Sequence, residues 1–272
     1  MDEIILPRRS QNSHKGTFGK VLNFAGSPNY VGAAYLSSIS ALRVGCGYVA
    51  LASLPAVLQA ISAKTPDLVL IPVKQAKNII KNYDVVSLGC GFSTEAPAML
   101  MFKSLMTELA ILDLPVVLDA DGINLLAKFK KTILPDTLIL TPHPKEASRL
   151  LGKDLDDILK NTEDAATEIS LNYKCTTVLK GHNTVVCSKD LNIYVNQTGN
   201  SALAKAGSGD VLCGMISGLI AQRLKPFDAC KTAVYLHGLA GDLASLDLTE
   251  YSVLASDILE YIPKAIKNVM ES

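Results

Sequence analysis

Short runs rich in Val, Leu and Ile alternate along this chain with longer segments whose apolar residues recur at helical spacing. Residues 21–25 predict a strand, followed by a loop over 26–32 and a helix over 33–44. Further strands are expected over 48–53, 68–73 and 84–88, the last running into Gly89-Cys90-Gly91. A helix covers 96–109. Strands over 115–119 and 137–140 then run into Asp121-Gly122 and Thr141-Pro142-His143-Pro144. Near-continuous apolar strands between helices predict an α/β fold, with a mainly parallel central sheet covered by helices on both faces. After residue 174 the strands over 177–180, 184–187 and 191–195 leave little room for crossover helices, so a short antiparallel region near 175–196 is expected. Helices over 210–222, 227–246 and 256–270 finish the chain. No linker, repeat or low-complexity tract interrupts it, and one domain over residues 1–272 is expected.

Composition narrows the class of partner. Lys+Arg and Asp+Glu balance at 26 each, so no net field favours nucleic acid or an anionic membrane. At 49% hydrophobic and 19% charged, the chain carries enough apolar surface for a substantial core. Six cysteines at 46, 90, 175, 187, 213 and 230 include no Cys-x-x-Cys pair and sit mostly among apolar neighbours, a usage that suits a reducing compartment. The segment MDEIILPRRSQNSHKG lacks the apolar core of a signal peptide, and no run approaches the ~20 residues of a membrane helix. A soluble, cytoplasmic protein is expected.

In a parallel sheet of this kind, ligands bind at the carboxyl ends of the strands. Small and polar residues collect there: Gly26-Ser27, residues 89–91, residues 119–122, residues 141–146 and Lys180-Gly181. The most informative stretch is NSALAKAGSGDVLCGMISG at 200–218, where a small-residue turn precedes Asp210 and an apolar helix. Free amides at the start of such a helix can receive an anion. Phosphate would repel a neighbouring carboxylate, so Asp210 needs a separate reason; taking the proton of a hydroxyl as a phosphoryl group arrives supplies one. The competing reading is that Ser208 or Asp210 only caps the helix.

The other exits carry similar pairs of readings. The loop over 26–32 lacks the Gly-Lys-Ser/Thr ending of a Walker motif and the glycine spacing of a dinucleotide fingerprint. In TPHPKE at 141–146, His143 is placed to hydrogen-bond a polar substrate, and Glu146 to hold hydrated magnesium through one carboxylate. Alternatively, Glu146 complements a helix N-terminus while His143 fills a turn. KGHNT at 180–184 offers a cation, a flexible backbone and a hydroxyl for a nucleotide phosphate, or equally a hairpin turn with a solvated lysine.

Taken together, these segments resemble the NAD(P)H-hydrate dehydratases, a ribokinase-like repair family also found as the C-terminal half of bifunctional repair proteins. His14-Lys15-Gly16 with Phe18-Gly19 comes first, then Gly32-Ala33 ahead of SSISALRVGCG, and the Gly89/Gly91 turn. Leu118-Asp119-Ala120-Asp121, TPHPKE, LKGHNTVV at 179–186, Asn200 with AKAGSGDVLCG, and YLHGLAGD at 235–242 follow in order. The resemblance covers residues 14–245; GSGD alone would indicate only the wider ribokinase-like group. It implies a ribokinase-like fold and the repair of hydrated NADH or NADPH. In that reaction ADP or ATP phosphorylates the C6 hydroxyl, and phosphate then leaves. It further implies Asp210 as the base, with Ala33, Gly91, His143 and Asp210 lining the hydrated dinucleotide. Lys180, Gly181, His182, Asn183 and Thr184, with Gly207, Ser208 and Gly209, would line the nucleotide. The small-molecule substrates would be joined by Mg2+, and a homo-oligomer, up to a tetramer, is expected. A vitamin-precursor kinase of the same fold would stop at the phosphorylated product. A catalytically silent nucleotide-binding protein would not need Asp210 and Lys180.

Overall fold

The computed structural model describes residues 4–271; residues 1–3 and 272, which the one-domain expectation and the reading of the N-terminal segment include, lie outside the described residues. Strand β1 (Lys20–Phe24) leads into α1 (Val31–Arg43), β2 (Tyr48–Ser53), α2 (Pro55–Ser62), β3 (Val69–Pro72) and a single turn, α3 (Val73–Ala76). Then come β4 (Val85–Leu88), α4 (Ala96–Leu112), β5 (Val116–Leu118), α5 (Ala120–Lys128), β6 (Leu138–Leu140) and α6 (Pro144–Leu151). The helices α7 (Leu155–Lys160) and α8 (Thr162–Tyr173) precede β7 (Thr176–Leu179), β8 (Val185–Cys187) and β9 (Ile193–Val195). The chain ends in α9 (Ser208–Ala221), α10 (Pro226–Ser252) and α11 (Ala255–Glu271).

Among the described residues, nine strands join one sheet in the order β3-β2-β1-β4-β5-β6-β7-β8-β9. Pairing is parallel from β3 to β7, and antiparallel from β7 through β8 to β9. The expected antiparallel region is therefore an extension of the parallel sheet, with β7 serving both. Strand order reverses at β1, which has β2 on one side and β4 on the other. That reversal opens a crevice at the carboxyl ends of β1 and β4, where the diverging loops cannot cover the sheet.

Successive side chains of a strand point to opposite faces, so each buried strand feeds two cores. Val21, Leu51, Val85 and Val117 pack on one face with Met215 and Ile216 of α9. Leu22, Ala50, Val86 and Leu118 pack on the other with Phe102, Leu105 and Met106 of α4. Helix α9 is buried along most of its length, beneath α1 and α10. Its N-terminus points into the crevice, where a small shift would have to displace packed neighbours on three sides. All six cysteines are free and buried, filling core positions as small apolar groups.

Candidate active site

The crevice is built by backbone crossings between strand exits. The amide of Gly26, after β1, donates to Cys90 O after β4 at 2.9 Å. The amide of Lys180, after β7, donates to Pro142 O after β6 at 2.8 Å. Gly91 lies in the left-handed region at φ 60, and a Cβ there would sit 3.0 Å from the Cβ of Ala33 and 2.6 Å from that of Tyr30. Only glycine fits this approach. The two small residues expected on the dinucleotide side, Ala33 and Gly91, are thus neighbours on one wall.

The opposite wall starts at α9. Its N-cap is Gly207, left-handed at φ 95, and no side chain caps the helix. Neither Ser208 nor Asp210 is the cap, which removes the competing reading of this stretch. Among the described residues the amides of Gly209 and Asp210 have no backbone acceptor, while that of Ser208 is weakly occupied by Lys205 O at 3.3 Å. Two unsatisfied donors and the positive end of the helix dipole face the same space. A Cβ on Gly209 would lie 3.2 Å from Lys180 Nζ, so the β7 exit delivers its ammonium directly beside this nest.

Lys180 is not solvated. Its Nζ lies 2.5 Å from Oδ1 of Asp119, a carboxylate buried at the end of β5. Burial opposes the ammonium charge, but Asp119 and Glu146 outweigh it and hold the Lys180 pKa above its ordinary value. Burial, reinforced by Asp119, pushes the Asp210 carboxyl up to about 6. A carboxylate poised just below neutrality is well matched to accept a proton.

The β6 exit is organised differently. His143 caps α6: its Nδ1 accepts from the amides of Lys145 at 3.1 Å and Glu146 at 3.3 Å. Glu146 returns the contact, its Oε2 accepting from the His143 amide at 2.8 Å, with Pro144 at the first helical position. Oε1 faces His143 Nε2 at 3.3 Å. Burial and Lys180 lower the His143 pKa, and burial raises that of Glu146 to about 7. The structural readings of both residues therefore hold in full, while the His143 ring stays half exposed to the crevice. In the β7–β8 loop, Gly181, His182 and Asn183 are exposed, and Thr184 Oγ1 closes the turn onto Gly181 O at 3.1 Å.

Sequence reasoning gave no role to four contributors. Asp119 was noted as a strand exit and within the Leu118–Asp121 segment but given no role, though an acid ending a buried apolar strand is itself a signal, because such a group needs a cation. Cys90 lies with Asp119 and Cys213 in a cluster whose ligand atoms fall within 4.8 Å of one another, but two thiols do not suit magnesium. His237 of α10 meets Ser208 Oγ at 3.2 Å and is held neutral by burial, which lowers its pKa to about 4. Asp242, one turn further on, accepts from Gly199 N and Asn200 Nδ2, each at 2.8 Å. Both residues of YLHGLAGD tether the segment that leads into α9.

A model of the family described as NAD(P)H-hydrate dehydratase matches residues 21–264. The chain is 39% identical to the ADP-dependent (S)-NAD(P)H-hydrate dehydratase of Neisseria meningitidis over 88% of its own length and 81% of that protein's. It is 35% identical to the bifunctional NAD(P)H-hydrate repair enzyme of Moorella thermoacetica over 98% of its length, but spans only 52% of that protein, about half of the bifunctional relatives it matches. The crystal structure of the ADP/ATP-dependent NAD(P)H-hydrate dehydratase of Bacillus subtilis, co-crystallized with ATP/Mg2+, superposes with a TM-score of 0.87 at 31% identity, over 97% of this chain and 94% of that one. The fold is ribokinase-like, as the resemblance implied. With the family match and these identities in agreement, the chain belongs to the NAD(P)H-hydrate dehydratase family.

Proposed function

We propose that this chain repairs hydrated NADH and NADPH, using ADP or ATP to phosphorylate the C6 hydroxyl before phosphate is eliminated. The observation that carries the reading is the uncapped start of α9. Two free amides, the Lys180 ammonium and a carboxylate at pKa about 6 converge within one turn. In the first step, Asp210 takes the hydroxyl proton as the oxygen bonds to phosphorus and the bond to the departing nucleotide breaks. The amides of Gly209 and Asp210 receive the oxygens of the transferring group. In the second step, the C6–O bond breaks under push from the ring nitrogen, phosphate leaves, and loss of a C5 proton restores the double bond. Ala33, Gly91, His143 and Asp210 would line the dinucleotide, and residues 180–184 with Gly207, Ser208 and Gly209 the nucleotide.

The donor set fits magnesium. Asp119, Glu146 and Asp210 lie around one ammonium, so negative charge is in surplus there, while burial is the main cause of the raised Glu146 pKa. Glu146 would hold the ion through its water shell, where it would offset charge on the nucleotide phosphates. A homo-oligomer, up to a tetramer, belongs to the same proposal; Leu246, Tyr251 and Leu254 expose apolar surface at the α10–α11 corner. No described helix is long and apolar enough to cross a membrane. The buried free thiols support a cytoplasmic setting.

The test is to incubate the protein with hydrated NADH and ADP or ATP while following reduced-nicotinamide absorbance. Recovery that requires the nucleotide is the expected result. Consumption of nucleotide without recovery would indicate a kinase that stops at the phosphorylated intermediate, and neither change would leave a binding protein.

A further inference from the structure

Two thiols and a carboxylate meet in the interior beside Asp210. Cys90, Cys213 and Asp119 each bring a ligand atom within 4.8 Å of the other two, and all three residues are buried. They come from three elements. Cys90 follows β4 and is held between two glycines of positive φ, Gly89 at 130 and Gly91 at 60. Asp119 ends β5, and Cys213 lies three residues after Asp210 on α9, where that spacing puts both side chains on one face.

Asp119 is divided between two partners. Its Oδ1 pairs with Lys180 Nζ at 2.5 Å, while Oδ2 is met by the Cys90 thiol at 3.8 Å, a weak donor at long range. The Cys90 thiol is also in side-chain hydrogen-bond contact with Cys213 and with Asp210. Two soft donors and two carboxylates therefore share one small volume, and the reaction proposed above uses neither thiol.

We propose that Cys90, Cys213 and Asp119 form a zinc site that takes Asp210 as its fourth ligand and so withdraws the base from the reaction. The site stands on the geometry alone; its effect on turnover rests on the proposed function. Tetrahedral zinc with Zn–S of about 2.3 Å and Zn–O of about 2.0–2.2 Å sets ligand atoms roughly 3.6–3.8 Å apart. The Cys90–Asp119 edge already has that length. The remaining edges need at most about 1 Å of closure to reach it. Thiolates select zinc over magnesium, which takes oxygen ligands in octahedral geometry. Burial pushes the Cys90 thiol well above its ordinary pKa, so without metal it is inert. Zinc binding displaces one proton from each thiol to solvent, and the two thiolates with two carboxylates then surround a divalent charge. Asp119 Oδ1 keeps Lys180 throughout, which leaves the cation of the nest in place.

Cobalt(II) reports this ligand set without reference to activity. With magnesium in excess, the wild-type protein is expected to show sulfur-to-cobalt charge-transfer absorption in the near ultraviolet and intense tetrahedral d–d bands, both bleached by zinc. Cys90→Ser and Cys213→Ser are each expected to lose the charge-transfer band; circular dichroism confirms their fold, and Cys213→Ala replaces a serine variant that fails to fold. In the repair assay, zinc at about 10 μM is expected to abolish wild-type turnover, whereas Cys213→Ser, with turnover near wild type in the absence of zinc, should tolerate about 100-fold more. The variant also controls for zinc held by the nucleotide. Folded wild-type protein without thiolate bands, or bands kept in both serine variants, overturns the site. Equal zinc inhibition of the wild type and Cys213→Ser, or full turnover in zinc-loaded wild type, overturns the withdrawal of Asp210. Wild-type protein that restores no absorbance even without zinc overturns the functional reading, and the cobalt spectra still decide the site.

Discussion

Two helix N-termini border the same crevice and are finished in opposite ways. Helix α6 is closed: His143 and Glu146 form a reciprocal capping box, and Pro144 removes another donor. Helix α9 is open: a left-handed glycine precedes it, no side chain caps it, and the amides of Gly209 and Asp210 have no backbone acceptor among the described residues. A cap is worth about 0.5–2 kcal/mol, and position 207 cannot take one, because it is left-handed and a Cβ there would lie 2.6 Å from Leu36 Cδ1. The difference teaches which end is scaffold and which is receptor. Donors already satisfied within the chain hold the wall steady, and donors left unsatisfied wait for phosphate oxygens.

Asp210→Asn gives the largest expected effect. The amide keeps the shape but cannot take a proton, so turnover should fall by about 10²–10⁴-fold with ligand affinity largely retained. The same change should raise the melting temperature at pH 7 by a few degrees, roughly 2–4 °C per kcal/mol. The sign follows from linkage: the Asp210 pKa rises from 3.8 to about 6 on folding, so the folded chain holds that proton more tightly than the unfolded one. The resulting stabilisation is fully present below about 3.8 and is lost as pH rises through about 6. Near-normal turnover in the Asn variant would remove Asp210 from the chemistry.

Gly209→Val should come next. Its side chain would press on Lys180 Nζ, which Asp119 keeps from swinging away, and it would shield the free amides. A loss of about 10²-fold in kcat/KM for the nucleotide is expected, with the fold intact by circular dichroism. If nucleotide kinetics are unchanged in a folded variant, α9 is not the receptor. The pH profile is the third test. Below pH 6 a growing share of Asp210 is protonated and cannot act as base, so kcat/KM should fall about tenfold per pH unit on the acid side, with the bend near 6.

His143→Ala should do least to catalysis and most to the scaffold. Losing the α6 cap should cost about 0.5–2 kcal/mol of stability, and KM for the hydrated dinucleotide should rise by up to about tenfold. His143→Asn restores a capping oxygen and should recover the stability. A variant that weakens the nucleotide and spares the dinucleotide would reverse the two sides of the crevice.

Most of the fold was legible because buried parallel strands and amphipathic helices leave strong periodic signals. The strands of β1, β2, β4 and β5 were found within a residue or two. The short helices α2, α5, α7 and α8 were passed over, since six to twelve residues between loops give too few turns for a clear period. At the site, the turn at 206–209 was identified but its geometry was not: the left-handed residue is Gly207, while Gly209 is constrained by Lys180. TPHPKE hid its capping box because a histidine stands where Ser or Thr would signal one. The Asp119–Lys180 pair joins residues 61 apart, and no local pattern predicts a contact that only the β5-β6-β7 order creates.

The claim that α9 is open for phosphate while α6 is closed can be tested amide by amide. Proton–nitrogen correlation spectra of the labelled protein, recorded as ADP is titrated in, report the hydrogen bonding of each N–H separately. Large downfield shifts of the Gly209 and Asp210 amide protons, with those of Lys145 and Glu146 nearly still, are the predicted result. Still amides at Gly209 and Asp210 in a protein saturated with ADP, or shifts centred on Lys145 and Glu146, would contradict the account.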